Sequence, residues 1–149
     1  MKKAPTFKTT DYLGNEISSE ILAGSKYLIY FYPKDMTPGC TIEAIGFQEK
    51  YAEFKEAGVQ IFGVSKDSAA SHQKFCDKHD LRFPLLVDTD ATIAQAFGVL
   101  KEKSMFGKKY MGISRESFLV DEKGNILKHW EKVKPVSHPK EVLDFVKSL

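Results

Sequence analysis

The sequence predicts an α/β fold in which helices flank both faces of a mixed central sheet. β-favouring runs alternate with helical patterns from residue 27 to residue 97, and such alternation indicates parallel strands joined by right-handed crossovers. A turn-rich segment at Asp121–Asn125 then separates two further runs, which adds antiparallel strands. We expect this thioredoxin-like arrangement to form one domain over residues 1–149, because one core typically serves roughly 100 to 200 residues.

The chain opens with a small hairpin followed by a buried strand. Phe7–Thr10 and Glu16–Ser18 flank a turn-rich segment, and this pattern is typical of a hairpin. Tyr27–Tyr32 is a continuous β-favouring run without polar alternation, which indicates a central strand covered on both faces. Pro33 ends that run, so the chain must leave the sheet there.

A helix is predicted from Cys40 to Ala57. Ala44, Phe47, Tyr51 and Phe54 recur at spacings of three and four, which gives one apolar stripe, and Gly58 terminates it. The remaining predicted elements are strand Val59–Val64, helix Ala69–His79, strand Leu85–Val87, helix Thr92–Phe97, strands Ser117–Val120 and Ile126–Trp130, and helix Pro139–Val146.

Composition excludes several function classes. With 42% hydrophobic and 28% charged residues the chain has material for a core and a charged surface, which argues against disorder. Net charge is +2 and the lysines are scattered, so we expect no nucleic-acid partner. No apolar stretch of bilayer or signal-peptide length occurs, so we expect a cytoplasmic protein without a membrane partner. Stable disulfides are rare in that compartment, so any bond between the two cysteines of this chain should be transient, catalytic or sensory.

Cys40 stands where a thiol can become reactive. It follows a buried strand and a short loop and lies in the first turn of the predicted helix, where free N–H groups and the helix dipole favour a thiolate. Thr37, three residues earlier, can direct its hydroxyl at that thiolate or at a bound oxygen. Spacing alone leaves an alternative open, in which Cys40 is a small apolar residue filling the helix stripe.

The loop resembles a known active site. Pro33-x-x-x-Thr37-x-x-Cys40 is similar to the signature of peroxiredoxins, and Thr37–Thr41 followed by Glu43-Ala44 resembles the branch called peroxiredoxin Q or bacterioferritin comigratory protein. The similarity continues over nearly the whole chain, through Phe83–Asp88, Ala96–Val99 and Arg115–Asp121.

The resemblance implies a thioredoxin-like peroxiredoxin fold and assigns roles to four residues. Cys40 is the expected peroxidatic cysteine, Thr37 and Arg115 its activating partners, and Pro38 a shield over the pocket. Arg115 also has a physical argument, because a cation stabilises the thiolate and can bind peroxide oxygens as charge moves between them. Considered without the resemblance, the preferred interpretation of Arg115 is an arginine on a solvated strand edge, because single arginines usually lie on a solvated face.

The second cysteine departs from the common pattern of this branch. A resolving cysteine usually lies five positions after the first, but Ile45 occupies that position. Cys76 on the predicted Ala69–His79 helix resembles the branch members whose resolving cysteine is on the following helix, so a Cys40–Cys76 disulfide is implied. The alternative is an inert, half-buried cysteine beside Phe75.

The expected function is therefore an antioxidant thiol peroxidase. It would reduce hydrogen peroxide and organic hydroperoxides through a cysteine sulfenic acid, form the disulfide, and be recycled by thioredoxin or a similar dithiol. The resemblance implies a monomer and no metal, haem or flavin. Two alternatives remain, a one-cysteine peroxidase that uses an external thiol and a redox-responsive binding or chaperone protein. A thioredoxin-like reductase is excluded because Thr37 occupies the first position of the required Cys-x-x-Cys pair.

Overall fold

A five-stranded mixed sheet forms the centre of the molecule. The structure is a computed structural model that describes residues 2–149. In spatial order the strands are β5 (Leu85–Val87), β4 (Val59–Ser65), β3 (Lys26–Phe31), β8 (Glu116–Val120) and β9 (Ile126–Trp130). β3, β4 and β5 run parallel, whereas β8 is antiparallel to both β3 and β9. The predicted mixed sheet is confirmed.

Helices pack on both faces of this sheet. They are α1 (Pro38–Glu49), α2 (Tyr51–Glu56), α3 (Ala69–His79), α4 (Thr92–Ala96) and α5 (His138–Lys147). Successive β3 side chains point to opposite faces: Leu28 and Tyr30 join the core beneath α1, α3 and α5, whereas Ile29 and Phe31 join the core that includes α4. Within residues 2–149 no helix combines the length and apolar character needed to span a membrane.

The helix predicted from Cys40 to Ala57 differs from the structure at two points. It begins at Pro38, because proline is well tolerated in the first helical turn, where its missing N–H has no partner to lose. It also breaks at Lys50, whose φ of −105° and ψ of 6° end α1 before α2 begins. The apolar stripe runs through this break, so the spacing of apolar residues did not reveal it.

Two hairpins flank the central sheet. The predicted first hairpin is confirmed as β1 (Lys8–Thr10) and β2 (Glu16–Ser18). A second hairpin, β6 (Leu100–Met105) and β7 (Lys108–Ile113), was not predicted. Phe106 and Gly107 join its strands, both with positive φ, as a two-residue hairpin turn of the primed type requires. Since most residues of β6 and β7 are exposed, they lack the apolar alternation that reveals a strand.

Candidate active site

The loop between β3 and α1 places Cys40 at the start of a helix. Thr37 is the N-cap residue of α1, and Cys40 lies in the first turn with 2% of its surface exposed. Unpaired backbone N–H groups at a helix start favour a negative charge, so this position suits a thiolate. The predicted location of Cys40 is confirmed.

Arg115 contacts the Cys40 sulfur although the two residues are 75 positions apart in the sequence. Its Nη2 lies 3.4 Å from the Cys40 Sγ, and its Nη1 donates to Glu43 Oε1 at 2.8 Å. Gly39 leaves room for this approach, because a Cβ at that position would lie 3.3 Å from Nη2, a tight contact. The guanidinium fork therefore spans Cys40 and Glu43, and the predicted meeting of Cys40 with Arg115 occurs.

Glu43 is a site residue to which sequence reasoning assigned no role. It lies one helical turn after Cys40, is completely buried, and its second oxygen, Oε2, has no hydrogen-bond partner among the described residues. Burial raises its pKa to about 7, although Arg115 opposes that rise. The i, i+3 spacing from Cys40 was the available signal, because it places both side chains on one face of the helix.

The buried Glu43 carboxyl should make stability depend on pH. Because its pKa is raised from 4.5 to about 7, the native protein keeps a proton that the unfolded chain releases between these values. The free energy of unfolding that this proton contributes is therefore lost as pH rises from about 4.5 through about 7. We expect the urea midpoint to fall between about pH 5 and pH 7.5.

Glu43→Gln should remove the part of the pH dependence of the urea midpoint that Glu43 causes. Glu49→Gln, on the exposed face of the same helix, should preserve that pH dependence. Other groups titrate alike in all three proteins, so the difference between their slopes isolates Glu43. Equal slopes in Glu43→Gln and wild type would contradict the raised pKa.

Lys103 is a second cation near the site. Its Nζ donates to the Ile113 carbonyl at 2.6 Å, and its stem passes so close to Gly112 that a Cβ there would lie 2.9 Å from Lys103 Cδ. Burial and the Arg115 charge lower the pKa of Lys103, while the Cys40 charge raises it. This hydrogen bond joins Lys103 on β6 to Ile113 on β7, and Ile113 lies two residues before Arg115.

Comparison with known proteins identifies the family. A model of the AhpC/TSA family matches residues 1–129. The putative peroxiredoxin Bcp of Coxiella burnetii is 47% identical over 142 residues, which cover 95% of this chain and 94% of that protein. Peroxiredoxin Bcp of Bacillus subtilis is 45% identical over 148 residues, covering 99% and 94%. The chain belongs to the peroxiredoxin Q/Bcp family.

Solved peroxiredoxin structures share the fold. Xanthomonas campestris peroxiredoxin Q matches with a TM-score of 0.91 and 42% identity, over 95% of this chain and 90% of that one. Peroxidoxin BcpB of Mycobacterium tuberculosis matches with a TM-score of 0.85 and 28% identity, over 100% and 99%. The thioredoxin-like peroxiredoxin fold predicted from the sequence is thus confirmed.

Thr37 and Pro38 are the other two residues of the predicted loop motif. The Thr37 hydroxyl donates to the Lys34 carbonyl at 2.7 Å, so its proton stabilises the loop and is not directed at the Cys40 sulfur. Pro38 occupies the first turn of α1 and is exposed at the rim of the site. The activating role of Thr37 and the shielding role of Pro38 stay predictions.

Cys76 is buried on α3 as a free thiol, and Cys40 is free as well. Both side chains belong to the same apolar cluster. Burial raises the pKa of Cys76 to about 11, with contributions from the Asp35 and Asp77 charges, while a hydrogen bond from Tyr12 opposes the rise. In this reduced, closed arrangement Cys76 is therefore a weak nucleophile.

Two clusters contain side chains of the kinds that bind metals. One consists of Asp35, Asp67 and His72 and the other of Glu116, His129 and Glu131. Hydrogen bonds within the protein already engage both ring nitrogens of His72. The Lys101 ammonium lies 2.8 Å from Glu116 Oε2 and opposes a cation there. Neither cluster contains a cysteine.

Proposed function

We propose that this peroxiredoxin reduces hydrogen peroxide and organic hydroperoxides at Cys40. The contact of Arg115 Nη2 with the Cys40 sulfur, while Nη1 is held by Glu43, is the observation that carries this proposal. A fork held at one end can stabilise the thiolate and then bind the peroxide oxygens. The bacterioferritin comigratory protein of Xanthomonas campestris, 41% identical to this chain, has alkyl peroxide reduction activity, which supports the substrate class.

The first chemical step is a two-electron oxidation of sulfur. The Cys40 thiolate attacks the terminal oxygen of the hydroperoxide, an S–O bond forms and the O–O bond breaks. The alkoxide or hydroxide that leaves takes up a proton to become alcohol or water, and Cys40 becomes a sulfenic acid. Arg115 assists because negative charge moves from sulfur to the departing oxygen within reach of its N–H groups.

The second step joins the two cysteines. The Cys76 thiolate attacks the Cys40 sulfur, the S–O bond breaks, hydroxide leaves and takes up a proton as water, and a disulfide forms. Two variants of Xanthomonas campestris peroxiredoxin Q carry serine for cysteine at positions separated by as many residues as Cys40 and Cys76, which supports this pairing. Thioredoxin or a similar dithiol then reduces the disulfide, and the chain acts as one cytoplasmic, monomeric domain without a metal or organic cofactor.

Local opening is required between the two steps. A disulfide needs Cα atoms within about 7 Å of each other and matching side-chain directions. Both cysteines are buried on separate helices with their thiols free, so we expect at least one helical turn around them to unwind before the bond forms. The raised pKa of Cys76 falls back towards its ordinary value once the side chain meets water, so opening also creates the attacking thiolate.

Cys76→Ser tests this assignment. We expect the variant to consume one equivalent of peroxide at the wild-type rate but to lose most of its thioredoxin-linked turnover, because the sulfenic acid cannot become a disulfide. The measurement pairs stopped-flow peroxide consumption with steady-state NADPH oxidation through thioredoxin and its reductase. Lys74→Ser on the exposed face of the same helix is the control and should keep both activities.

Full turnover by Cys76→Ser would instead establish a one-cysteine peroxidase that uses an external thiol. Oxidation that stops after one stoichiometric event in the wild type, with no turnover by any dithiol, would support a redox-responsive binding protein.

A further inference from the structure

A buried contact between an aspartate and a histidine joins the loop before Cys40 to helix α3. Asp35 lies in the loop between β3 and α1 and is 4% exposed, and His72 on α3 is completely buried. The two side chains meet at 2.7 Å between His72 Nδ1 and Asp35 Oδ2. The other ring nitrogen, Nε2, lies 2.9 Å from the Leu86 carbonyl oxygen. The first reaction step described above uses none of these groups.

Hydrogen bonds engage every polar side-chain atom of this pair. A carbonyl oxygen only accepts, so His72 Nε2 donates to Leu86. Asp35 accepts from the Tyr32 hydroxyl at 2.6 Å through Oδ1 and from the Ser71 hydroxyl at 2.9 Å through Oδ2. The Asp35–His72 contact is therefore hydrogen-bonded at both ends, as buried polar groups require.

The network joins the two segments that carry the cysteines. Asp35 is five positions before Cys40, and His72 is one helical turn before Cys76. The Asp35 backbone N–H also donates at 2.8 Å to Asp67, directly before the N-cap of α3. The loop between β3 and α1 (residues 32–37), the peroxidatic loop, is thus hydrogen-bonded to the start and to the first turn of α3.

Breaking this pair is costly, because separation leaves buried polar side chains without hydrogen-bond partners until water reaches them. We propose that the Asp35–His72 pair holds α3 against the peroxidatic loop and thereby sets the rate at which Cys76 reaches oxidised Cys40. This inference rests on the proposed disulfide mechanism. Asp35 and His72 are positioning residues, since they act through the helix and touch neither sulfur.

The rate of opening decides between two fates of the sulfenic acid. When α3 opens, Cys76 displaces hydroxide and the disulfide forms. While α3 stays closed, a second hydroperoxide can transfer its terminal oxygen to the Cys40 sulfur, release alcohol or water, and leave a sulfinic acid. A tighter pair therefore favours overoxidation at high peroxide, and a looser pair favours the disulfide.

Tyr32→Phe and Ser71→Ala each remove one hydrogen bond to Asp35 while keeping the Asp35–His72 contact and the packing. His72→Ala would leave the buried Asp35 side chain without this partner and open a cavity that can unfold the protein, so the milder variants are preferred. We expect disulfide formation after one equivalent of peroxide to accelerate about 5- to 10-fold in each, as loss of one such bond predicts. The rate of the first peroxide reaction should stay within about twofold of wild type. The peroxide concentration that converts half of Cys40 to sulfinic acid should rise in parallel.

Tyr27→Phe is the matched control, because it removes a tyrosine hydroxyl from the same strand region but lies in the other core cluster. It should leave disulfide formation, overoxidation and amide exchange at wild-type values. In the reduced protein, amide hydrogen exchange of residues 69–79 and 33–36 should accelerate in Tyr32→Phe and Ser71→Ala only.

Unchanged disulfide rates and unchanged exchange in both variants overturn the proposed hold on α3 while leaving the peroxidase mechanism intact. Wild-type protein that forms no Cys40–Cys76 disulfide contradicts the resolving role of Cys76 instead. In that case faster exchange of α3 in the two variants supports the hold on the helix, and wild-type exchange overturns it.

Discussion

Cys40→Ser is expected to abolish peroxide reduction. Serine is almost isosteric with cysteine, so the buried site at the start of α1 keeps its shape, but its hydroxyl is not ionised near neutral pH and is a poor nucleophile towards oxygen. Loss of a catalytic nucleophile typically costs on the order of 1,000-fold or more. We therefore expect the second-order rate constant for hydrogen peroxide to fall at least about 1,000-fold, measured by competition with a reporter peroxidase.

Cys76→Ser is the matched control for this loss, because it makes the same substitution at the other buried cysteine. It should keep the first reaction at the wild-type rate. If Cys40→Ser retains the reaction and Cys76→Ser loses it, the two cysteines have been assigned in the wrong order.

Arg115→Lys is expected to slow peroxide reduction by about 100-fold, the usual cost of losing one preorganised transition-state donor. Lysine keeps the positive charge but replaces the planar fork with a single ammonium, which cannot bridge Glu43 and Cys40 as the two Nη atoms do. The loss should appear in the second-order rate constant for the first reaction and not in reduction by thioredoxin.

Arg82→Lys provides the control for this substitution, because its guanidinium is exposed and pairs only weakly with Asp80 at 3.7 Å. It should react at the wild-type rate, and far-UV circular dichroism should show all three proteins folded. A wild-type rate constant in Arg115→Lys would exclude the guanidinium fork from the transition state.

The parts of the fold that local signals encode were predictable. Helix α3 has the predicted bounds Ala69–His79, because Ser68 caps its first turn through a hydrogen bond to the Ser71 N–H and Asp80 ends it in the left-handed conformation. Strand β5 also has the predicted bounds, Leu85–Val87, since a run of apolar residues lies between turn residues.

The β6–β7 hairpin could not be predicted in this way. Its strands pair with each other and leave most side chains in water, so no apolar pattern selects a face. The hairpin turn also uses Phe106 before Gly107, where Asn or Asp is the usual signal.

The residues of the candidate site also differ in whether the sequence could predict them. The loop motif located Cys40, Thr37 and Pro38, because these residues are neighbours in the chain, and Arg115 came from the resemblance. Glu43 and the Asp35–His72 pair depend on which side chains the sheet brings together across 72 and 37 residues. Sequence spacing places Glu43 on the same helix face as Cys40 but does not reveal its partner Arg115, and a buried acid acquires a role only when its partner is known.

Oxidation of the reduced protein by one equivalent of hydrogen peroxide, quenched with a thiol-alkylating reagent and mapped by mass spectrometry, tests the central claim most directly. We predict that the free thiol of Cys40 disappears first, as it becomes a sulfenic acid, at a rate far above that of free cysteine. A protein two hydrogens lighter, with Cys40 linked to Cys76, should follow. Cys40 that stays alkylatable after peroxide is consumed, or that reacts no faster than free cysteine, would contradict the assignment of this chain's peroxidase chemistry to Cys40.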